Sequence, residues 1–391
     1  MNDIRIIQVD DNCSFVYFRP HTLTVDDIEF IVGRYPRGAA DVIVNEMANV
    51  DRTSFKSEVN STYPQRGVIE SDDVDYPQRN TWALIDAGIH LPAAVCDAVH
   101  KRGFQFWPGM RSNTSKWSTD LKEQHPEWLL PAVNYTRPGL FNYEVPQVRQ
   151  RVLAQMRELV TTCDADGFYF NLMRCFFSFH PDRAARCADL MTGWFGEIRA
   201  MLDEVGEQKG KRLPLAVQVQ ARVQDNTYQG HDVRAWAKEG FIDYLCPARD
   251  NHIDFNLPME QWLEVVDGTD CKFFPCVQPG LGYVNPHPGP DHYRALFNNY
   301  HRGGAHGLST MNVLYRPEVY PVFEEYRDPQ KLTQQRRHYH FSGPPISSND
   351  GDLAYPLQPG LMPIDFEFVV REDPAVLQKI LQMNHFFLCI Q

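Results

Sequence analysis

Short apolar runs alternate with longer amphipathic stretches over residues 1–330 of this 391-residue chain. The apolar runs have the length of strands, and the stretches between them repeat apolar positions with the period of a helix. We predict eight strands, at residues 4–9, 41–44, 104–110, 168–172, 213–219, 242–246, 272–277 and 305–311. A helix is predicted between each pair of strands, and Thr24, followed by Asp26 and Asp27, is the expected N-cap of the first. Eight strand–helix alternations predict an α/β fold of the (β/α)8, or TIM barrel, type.

An open, doubly wound parallel sheet is the alternative fold, because it shows the same alternation of strands and helices. Such sheets often bind nucleotides through a Gly-x-Gly-x-x-Gly turn or a P-loop that directly follows a strand. Neither motif follows any of the predicted strands. The barrel is therefore the favoured architecture, and functional residues are expected at the rim where its strands end.

The character of the sequence changes beyond residue 330. Three short runs with the pattern of strands, at 339–341, 353–357 and 364–370, are separated by segments rich in Pro, Gly and Ser. We predict a barrel domain at residues 1–330 and a β-rich C-terminal segment at residues 331–391. The final apolar run, Phe-Phe-Leu-Cys-Ile before the last residue, is unusual for the end of a folded domain and suggests truncation.

The charge balance narrows the range of partners. The chain carries 38 Lys and Arg residues against 50 Asp and Glu residues, a formal net charge of −12. This argues against nucleic acid or an anionic membrane surface as the main partner. We see no signal peptide and no apolar run of about 18 residues, and the nine cysteines form no Cys-x-x-Cys pair. We expect a reduced, cytoplasmic setting without a membrane partner, and the composition is compatible with a homo-oligomer.

Three blocks of sequence carry a family resemblance. They are residues 125–129, His-Pro-Glu-Trp-Leu; residues 164–174, Asp-Ala-Asp-Gly-Phe-Tyr-Phe-Asn-Leu-Met-Arg, led by the run from Val-Arg at 148–149; and residues 232–245, with Asp-Val-Arg-Ala-Trp and Gly-Phe-Ile-Asp-Tyr-Leu. Together they resemble the family-10-like glycosyl hydrolase group, the bacterial glycosyl hydrolase-like (β/α)8 barrel proteins. The resemblance covers roughly residues 1–330 and implies a carbohydrate-active barrel that hydrolyses a glycosidic bond.

One position departs from that group. Its strand-four motif usually has an aspartate where this chain has Asn171. An amide neither donates nor accepts a proton at neutral pH, so Asn171 cannot be a general acid, a base or a carboxylate nucleophile. Catalysis therefore rests on other carboxylates, or the activity has been weakened or lost.

Glycoside hydrolysis normally needs two carboxyl groups, one on each side of the scissile bond. The candidates follow predicted strands, because a barrel brings all strand ends to one rim. Asp10 and Asp11 follow strand one, Glu46 follows strand two and Asp250 follows strand six. Glu46 and Asp250 are the preferred pair, since partial burial beside an apolar strand can separate their pKa values. The alternative for each of these carboxylates is capping of a backbone N–H in a loop.

Other polar and aromatic residues near strand ends are candidates for binding substrate. Four are arginines: Arg111, Arg174, Arg222 and Arg249. They suggest an acidic sugar as ligand, or else ion pairs with the rim carboxylates. The remaining candidates are Asn113, Trp117, Asn171, Gln218, His252, Gln278, His306 and Asn312. The spacing of the histidines matches no zinc motif, so we predict no metal and no cofactor.

The leading hypothesis is a glycoside hydrolase-like enzyme that cleaves an oligo- or polysaccharide, so that a carbohydrate is the main partner. A first alternative is a non-hydrolytic carbohydrate-binding barrel that has lost its strand-four carboxylate at Asn171. A second alternative is a lyase or isomerase acting on uronic acids, which draws on the four arginines at the rim.

Overall fold

The computed structural model describes residues 4–17, 22–62, 76–113, 119–131, 139–173, 177–249, 253, 255, 257–278, 288–313 and 316–337. All eight predicted strands fall within these ranges. Four of the predicted site residues lie outside them: Trp117, Arg174, Asp250 and His252. The three predicted strands of the C-terminal segment lie outside them as well.

Eight parallel strands form the central sheet. They are β1 Ile6–Asp10, β2 Val42–Ala48, β3 Gln105–Arg111, β4 Phe168–Asn171, β5 Leu215–Gln220, β6 Tyr244–Ala248, β7 with its two parts Lys272–Phe273 and Cys276–Val277, and β8 Leu308–Met311. The helices are α1 Val25–Gly33, α2 Tyr76–Asp86, α3 Leu91–Lys101, α4 Asp120–Gln124, α5 Pro146–Thr161, α6 Pro181–Ala184, α7 Ala188–Lys209, α8 Val223–Tyr228, α9 Val233–Lys238, α10 Met259–Val266, α11 Pro290–Arg302, α12 Tyr320–Tyr326 and α13 Pro329–Gln334. The predicted alternation of strands and helices is confirmed.

The sheet closes on itself through β7. Neighbouring strands run in the order β8, β1, β2, β3, β4, β5 and β6, and the two parts of β7 join the ends of this row. Lys272–Phe273 pairs with β6, and Cys276–Val277 pairs with β8. Between the two parts, the Phe274 N–H donates to the Leu245 carbonyl at 2.9 Å. Eight parallel strands closed in this way form a barrel, and the open, doubly wound alternative is wrong.

Successive side chains of each strand face the barrel interior and the helices in turn. The interior is filled by Ile7, Val9, Val42, Val44, Trp107, Tyr169, Ala216, Cys246, Phe274, Cys276 and Met311. The outer face packs against the helices through Ile6, Ile43, Phe106, Phe170, Val217, Leu245 and Leu308. Trp107 is fully buried in the amino-terminal half of the interior. Gly167 makes room for it, since a Cβ at that position would lie 2.7 Å from the indole ring.

Some element boundaries differ from the prediction. Strand β2 continues to Ala48, so Asn45 and Glu46 lie within the strand rather than after it. The connection after β2 contains α2 and two short strands, Arg52–Thr53 and Ser61–Thr62. An apolar run in the sequence marks only the middle of a strand. Polar residues at the carboxyl-terminal end of the strand continue its backbone pairing without adding to that run.

Helix starts follow the prediction more closely. The Thr24 side chain accepts a hydrogen bond from the Asp27 N–H at 3.3 Å, and the Asp27 carboxylate accepts one from the Thr24 N–H at 2.9 Å. This reciprocal capping box confirms Thr24 as the N-cap of α1.

None of the described helices is by itself long and apolar enough to cross a bilayer. Residues Arg79–Asp86 and α3 reach that length and composition only together, with a bend of 87° between them.

The described chain ends in α12 and α13, which pack beside α11. Leu332 of α13 is fully buried. The Arg294 guanidinium of α11 donates to the Arg336 carbonyl at 2.8 Å, which ties the end of the described chain to the barrel. The division of the chain at residue 330 and the β-rich character of residues 331–391 stay predictions.

Candidate active site

Strands β1 to β4 bring two carboxylates, a guanidinium and an amide together at the carboxyl-terminal rim. Asp11 follows β1, Glu46 lies within β2, Arg111 ends β3 and Asn171 ends β4. Arg111 Nε donates to Glu46 Oε2 at 2.8 Å, and Arg111 Nη2 donates to Asp11 Oδ2 at 2.5 Å. Asn171 Nδ2 donates to Glu46 Oε1 at 2.8 Å, and Asn171 Oδ1 accepts from the Met173 N–H at 2.8 Å. Four predicted site residues thus form one hydrogen-bonded network.

A pocket open to solvent lies over this network. Its lining includes Asp11, Asn12, Glu46, Arg52, Ser54 and Arg111. The space within it, part of which is open solvent, is about 360 Å³. The Arg111 side chain is 26% exposed, whereas that of Glu46 is 1% exposed. A ligand entering the pocket therefore meets the guanidinium first and reaches Glu46 only at the bottom.

Glu46 combines a hydrogen-bonded carboxylate with an increased affinity for a proton. Burial raises the pKa of Glu46 above its ordinary value, and the negative charge of Asp11 adds to this effect. Arg111 and Asn171 lower the pKa by donating hydrogen bonds, without cancelling the increase. Each carboxylate oxygen of Glu46 accepts a hydrogen bond, which suits the ionised form. Burial and the charge of Asp11 thus favour the protonated form of Glu46, whereas its two hydrogen bonds favour the ionised form.

Asp10 faces away from the pocket. Adjacent strand residues point to opposite sides, so Asp10 lies behind β1 while Asp11 faces the pocket. Asp10 Oδ1 accepts a hydrogen bond from the Ser14 N–H at 3.2 Å, and Asp10 Oδ2 is buried with no hydrogen-bond partner in the described structure. Its charge adds to the effect of burial in raising the pKa of Tyr35 and the pKa of Tyr320. The assignment of Asp10 to the catalytic carboxylates is therefore corrected.

Gly109 of β3 leaves space for Glu46. A Cβ at position 109 would lie 3.0 Å from Glu46 Cγ and 3.2 Å from Glu46 Cα. We expect Gly109→Ala to displace Glu46 and to lower the free energy of unfolding by about 1–3 kcal/mol, the usual cost of overpacking. Gly193→Ala in α7, where nothing lies within 4 Å of the new Cβ, is the matched control and should be slightly stabilising. Urea denaturation measures both, and equal stabilities would contradict the prediction.

Three amides predicted to bind substrate are buried within the protein. Asn113 Nδ2 donates to the Phe141 carbonyl, and Asn113 Oδ1 accepts from the Phe141 N–H, both at 3.0 Å. Gln218 Oε1 accepts from the Tyr169 hydroxyl at 3.1 Å inside the barrel. Gln278, after β7, is 1% exposed. Asn113 thus fixes the backbone around Phe141, and substrate binding by its side chain would require these buried bonds to break.

Asn312 positions the network through its contact with the backbone. Asn312 Oδ1 accepts a hydrogen bond from the Asp11 N–H at 3.1 Å. Asn312 and Asn12 both adopt a left-handed backbone, with φ of 57° and 70°, which asparagine tolerates better than most residues. Asn12 Nδ2 also donates to Ser54 Oγ at 2.6 Å. The pocket residues Asn12, Arg52 and Ser54 were not predicted; Arg52 and Ser54 belong to the long connection after strand two, whereas Asn12 directly follows Asp11.

The rim arginines form ion pairs where the structure describes them in detail. Arg111 contacts both Asp11 and Glu46. Arg222 is the residue before α8, and its Nε donates to Asp225 Oδ2 at 2.9 Å. Arg249 directly follows β6 and is half-buried. For Arg111, which pairs with Glu46, the structure thus agrees with the alternative of ion pairs with the rim carboxylates, whereas Arg222 pairs with Asp225 instead.

His306 lies at the opposite end of the barrel from the pocket. It precedes β8, and its backbone N–H donates to the Phe273 carbonyl at 3.0 Å. His306 Nδ1 accepts from the Phe273 N–H at 3.1 Å. Its placement at the substrate rim is therefore corrected, because β8 begins two residues after His306. In the part of the chain that the structure describes, no three His, Cys, Asp or Glu side chains are grouped so as to hold a metal ion.

Comparison with solved structures gives barrels of the same kind. No protein-family model matches this sequence, and no curated protein matches it. The glycoside hydrolase domain of PgaB (BpsB) from Bordetella bronchiseptica is similar with a TM-score of 0.51 and 12% identity, over 83% of this chain and 98% of that chain. The GH36 α-galactosidase AgaA from Geobacillus stearothermophilus gives 0.49 and 11%, over 84% of this chain and 42% of that chain. The maltogenic α-amylase AmyB from Thermotoga neapolitana gives 0.46 and 13%, over 84% and 77%. The likeness to the PgaB domain, together with the closed sheet, shows that this chain has the (β/α)8 barrel fold.

Proposed function

We propose that this protein is a glycoside hydrolase-like enzyme that cleaves a glycosidic bond in an oligo- or polysaccharide. The observation that carries the proposal is the network of Asp11, Glu46, Arg111 and Asn171 beneath an open pocket at the carboxyl-terminal rim. Active sites of TIM barrel enzymes lie at this rim. The PgaB domain, described as a glycoside hydrolase, shares the fold and supports the proposal by analogy only.

In this proposal Glu46 is the ionised carboxylate, acting as the nucleophile or as the base that activates water. Asp250 is the proposed proton donor, and it follows the last residue of β6 by two positions in the sequence. Strands β2 and β6 are four places apart in the ring of eight, on opposite walls of the barrel. Carboxyl groups carried by opposite walls can flank a bond held over the barrel axis. Arg111 and Asn171 are the positioning residues that orient Glu46.

Product analysis on a panel of neutral, amino and acidic oligosaccharides tests the proposal. The full chain is incubated with each sugar, and mass spectrometry detects products that have gained one water for each bond cleaved. We expect hydrolysis products from at least one class of sugar. Thermal stabilisation by a sugar without any product would contradict hydrolysis and support binding alone. An unsaturated product that absorbs in the ultraviolet would indicate a lyase instead.

Carbohydrate binding without hydrolysis is the second candidate function. It is favoured by Asn171, an amide where the resembled group usually has an aspartate. It is also favoured by the hydrogen bonds from Arg111 and Asn171 to the two oxygens of Glu46, which restrain this carboxylate. A barrel with these features retains a polar pocket for sugar hydroxyls even if no proton is transferred.

Asn171→Asp separates the two candidate functions. The substitution replaces an N–H donor 2.8 Å from Glu46 by a carboxylate oxygen, so that two acids compete for one proton. If Glu46 is catalytic, misplacement of its carboxylate should lower the hydrolysis rate about 10- to 100-fold. If the amide marks a lost catalytic acid, hydrolysis should instead appear in the variant. Asn142→Asp is the matched control, because it keeps the oxygen that accepts from the Glu144 N–H. This variant should neither lower the hydrolysis rate nor create hydrolysis.

A further inference from the structure

A short antiparallel hairpin that continues β2 forms one wall of the pocket. We call residues 47–54 the wall hairpin. The chain turns at its middle and pairs back on β2, and the Ser54 N–H donates to the Met47 carbonyl at 2.8 Å. Every residue from Met47 to Ser54 except Val50 and Asp51 lines the pocket. The shape of the pocket therefore depends on what holds this hairpin in place.

Asp51 lies in the turn of the wall hairpin, and its side chain is fully buried. Asp51 Oδ2 accepts a hydrogen bond from the Thr119 hydroxyl at 2.8 Å. The same oxygen lies 3.7 Å from Lys122 Nζ, and the Lys122 side chain is only 5% exposed. Asp51 Oδ1 is buried with no hydrogen-bond partner among the described residues. A buried carboxylate is costly unless it is paired, so the contacts with Thr119 and Lys122 are what stabilises Asp51 in this position.

Both partners of Asp51 belong to the segment that follows β3. Thr119 is the N-cap of α4, and its side chain accepts a hydrogen bond from the Lys122 N–H at 3.3 Å. Lys122 Nζ lies 5.6 Å from the centre of the Phe141 ring, and Asn113 fixes the Phe141 backbone through two hydrogen bonds. The cluster of Asp51, Thr119 and Lys122 therefore joins the hairpin after β2 to a well-anchored segment after β3.

Asp51 can influence the pocket only through its neighbours, because its own side chain does not line it. Asn49 and Arg52, on either side of the turn, do line the pocket. The Asp51 N–H donates to Asn49 Oδ1 at 3.3 Å, so the turn and the Asn49 side chain are coupled directly. Glu46, by contrast, lies within β2 and is held by hydrogen bonds of its own. A displaced turn should therefore move Asn49 and Arg52 more than it moves Glu46.

We propose that Asp51 is a positioning residue, which holds the wall hairpin against α4 and so places Asn49 and Arg52 to bind substrate. That the substrate is a sugar rests on the proposed function, whereas the attachment of the hairpin does not. Because Glu46 keeps its own contacts, loss of this attachment should weaken binding more than it slows the chemical step. The expected kinetic effect is therefore a higher KM with little change in kcat.

Hydrogen exchange of the full chain tests the attachment without any ligand. Asp51→Asn removes the charge that faces Lys122, and Thr119→Val removes the hydroxyl that donates to Asp51. Thr119→Val leaves the charge pair intact, so this variant keeps the test open if Asp51→Asn does not fold. In each variant, exchange of the backbone amides of residues 47–54 should become about 3- to 10-fold faster, as expected for the loss of one buried interaction.

Kinetics on the oligosaccharide panel test the effect on binding. For the panel sugar that the native protein cleaves fastest, both variants should raise KM about 3- to 10-fold and leave kcat within about 2-fold. A general loss of folded protein would lower the apparent kcat instead, because fewer molecules would be active. The split between KM and kcat therefore separates a positioning role from a purely structural one.

Two matched controls lie away from the wall hairpin. Thr24→Val removes the N-cap hydroxyl of α1, as Thr119→Val does for α4. Asp243→Asn weakens a carboxylate that binds Arg199 and Arg212 at the amino-terminal end of the barrel, just before β6. Both controls should leave KM and the exchange of residues 47–54 unchanged.

The outcomes separate this proposal from the proposed function. Unchanged exchange of residues 47–54 in both Asp51→Asn and Thr119→Val would overturn the attachment. Faster exchange with an unchanged KM would overturn the positioning role, and so would an equal rise of KM in the two controls. A native protein that cleaves no sugar of the panel would contradict the proposed function alone. The exchange rates would then still decide whether Asp51 holds the pocket wall.

Discussion

Replacing Glu46 with glutamine is expected to lower the rate of glycosidic bond hydrolysis at least about 100-fold. Glutamine has the shape of glutamate, but it cannot take a proton from water or form a glycosyl ester with the substrate. Its NH2 group would also face Arg111 or Asn171, each of which donates to Glu46 at 2.8 Å in the native protein. The decrease should appear in kcat, measured as release of reducing ends from the best substrate of the panel.

Glu204→Gln is the matched control for this substitution. Glu204 of α7 also pairs with an arginine, since Arg157 Nη2 lies 2.6 Å from its carboxylate, but its side chain is 54% exposed on the outer surface. The rate of this variant should equal that of the native protein. Partial recovery of Glu46→Ala by added formate would show that a missing carboxylate, rather than a collapsed pocket, causes the loss. A Glu46→Gln protein with unchanged melting temperature and more than about a tenth of the native rate would remove Glu46 from the mechanism.

Asp10→Asn is expected to stabilise the protein at neutral and alkaline pH. Burial, together with the charge of Asp11, raises the pKa of Asp10 from 3.8 to about 7 in the folded state. The folded protein therefore binds this proton more tightly than the unfolded chain does. The resulting stabilisation is complete below pH 3.8 and is lost as the pH rises through about 7. The loss amounts to about 4 kcal/mol for a shift of this size.

Urea denaturation at several pH values measures this effect. Asparagine keeps an oxygen that can accept from the Ser14 N–H and has no proton to lose, so the variant should gain stability relative to the native protein as the pH rises. The difference in free energy of unfolding should change by about 4 kcal/mol between acid and mildly alkaline pH. Asp182→Asn removes a carboxylate whose side chain is 76% exposed, and it controls for the change in net charge. A pH-independent difference for Asp10→Asn would contradict the prediction.

The barrel could be predicted because each strand has an apolar middle. Runs such as Ile-Ile in β1 and Val-Ile-Val in β2 mark segments buried between helices and barrel interior, and the number and spacing of such runs indicate the architecture. The rim could also be predicted, since Asp11, Glu46, Arg111 and Asn171 all stand at or near strand ends. The pairing of each arginine with a particular carboxylate could not be predicted, because it depends on side-chain geometry across neighbouring strands.

Other errors have a local cause. Asp10 and Asp11 are adjacent in the sequence, and the side that each faces depends on the strand alternation at that point rather than on composition. His306 is the second residue of the predicted strand at 305–311, so the predicted strand itself already had this histidine at the end opposite the rim. For Cys96 and His100, the spacing of four residues in a predicted helix was visible in the sequence. His100 also contacts Asp166, 66 positions further along the chain, and no local pattern signals that contact.

The two-part strand β7 makes one line of the barrel wall more compliant than the rest. It pairs through only two residues with β6 and two others with β8, whereas β2 pairs along a strand of seven residues. Each of these two pairings is half as long as the four-residue pairing between β1 and β2, so we expect the cylinder to widen most easily along this line. In the ring of eight, β7 stands opposite β3, which carries Arg111. We therefore expect a bulky ligand to gain width more easily from the β7 side than from the side that carries Glu46 and Arg111.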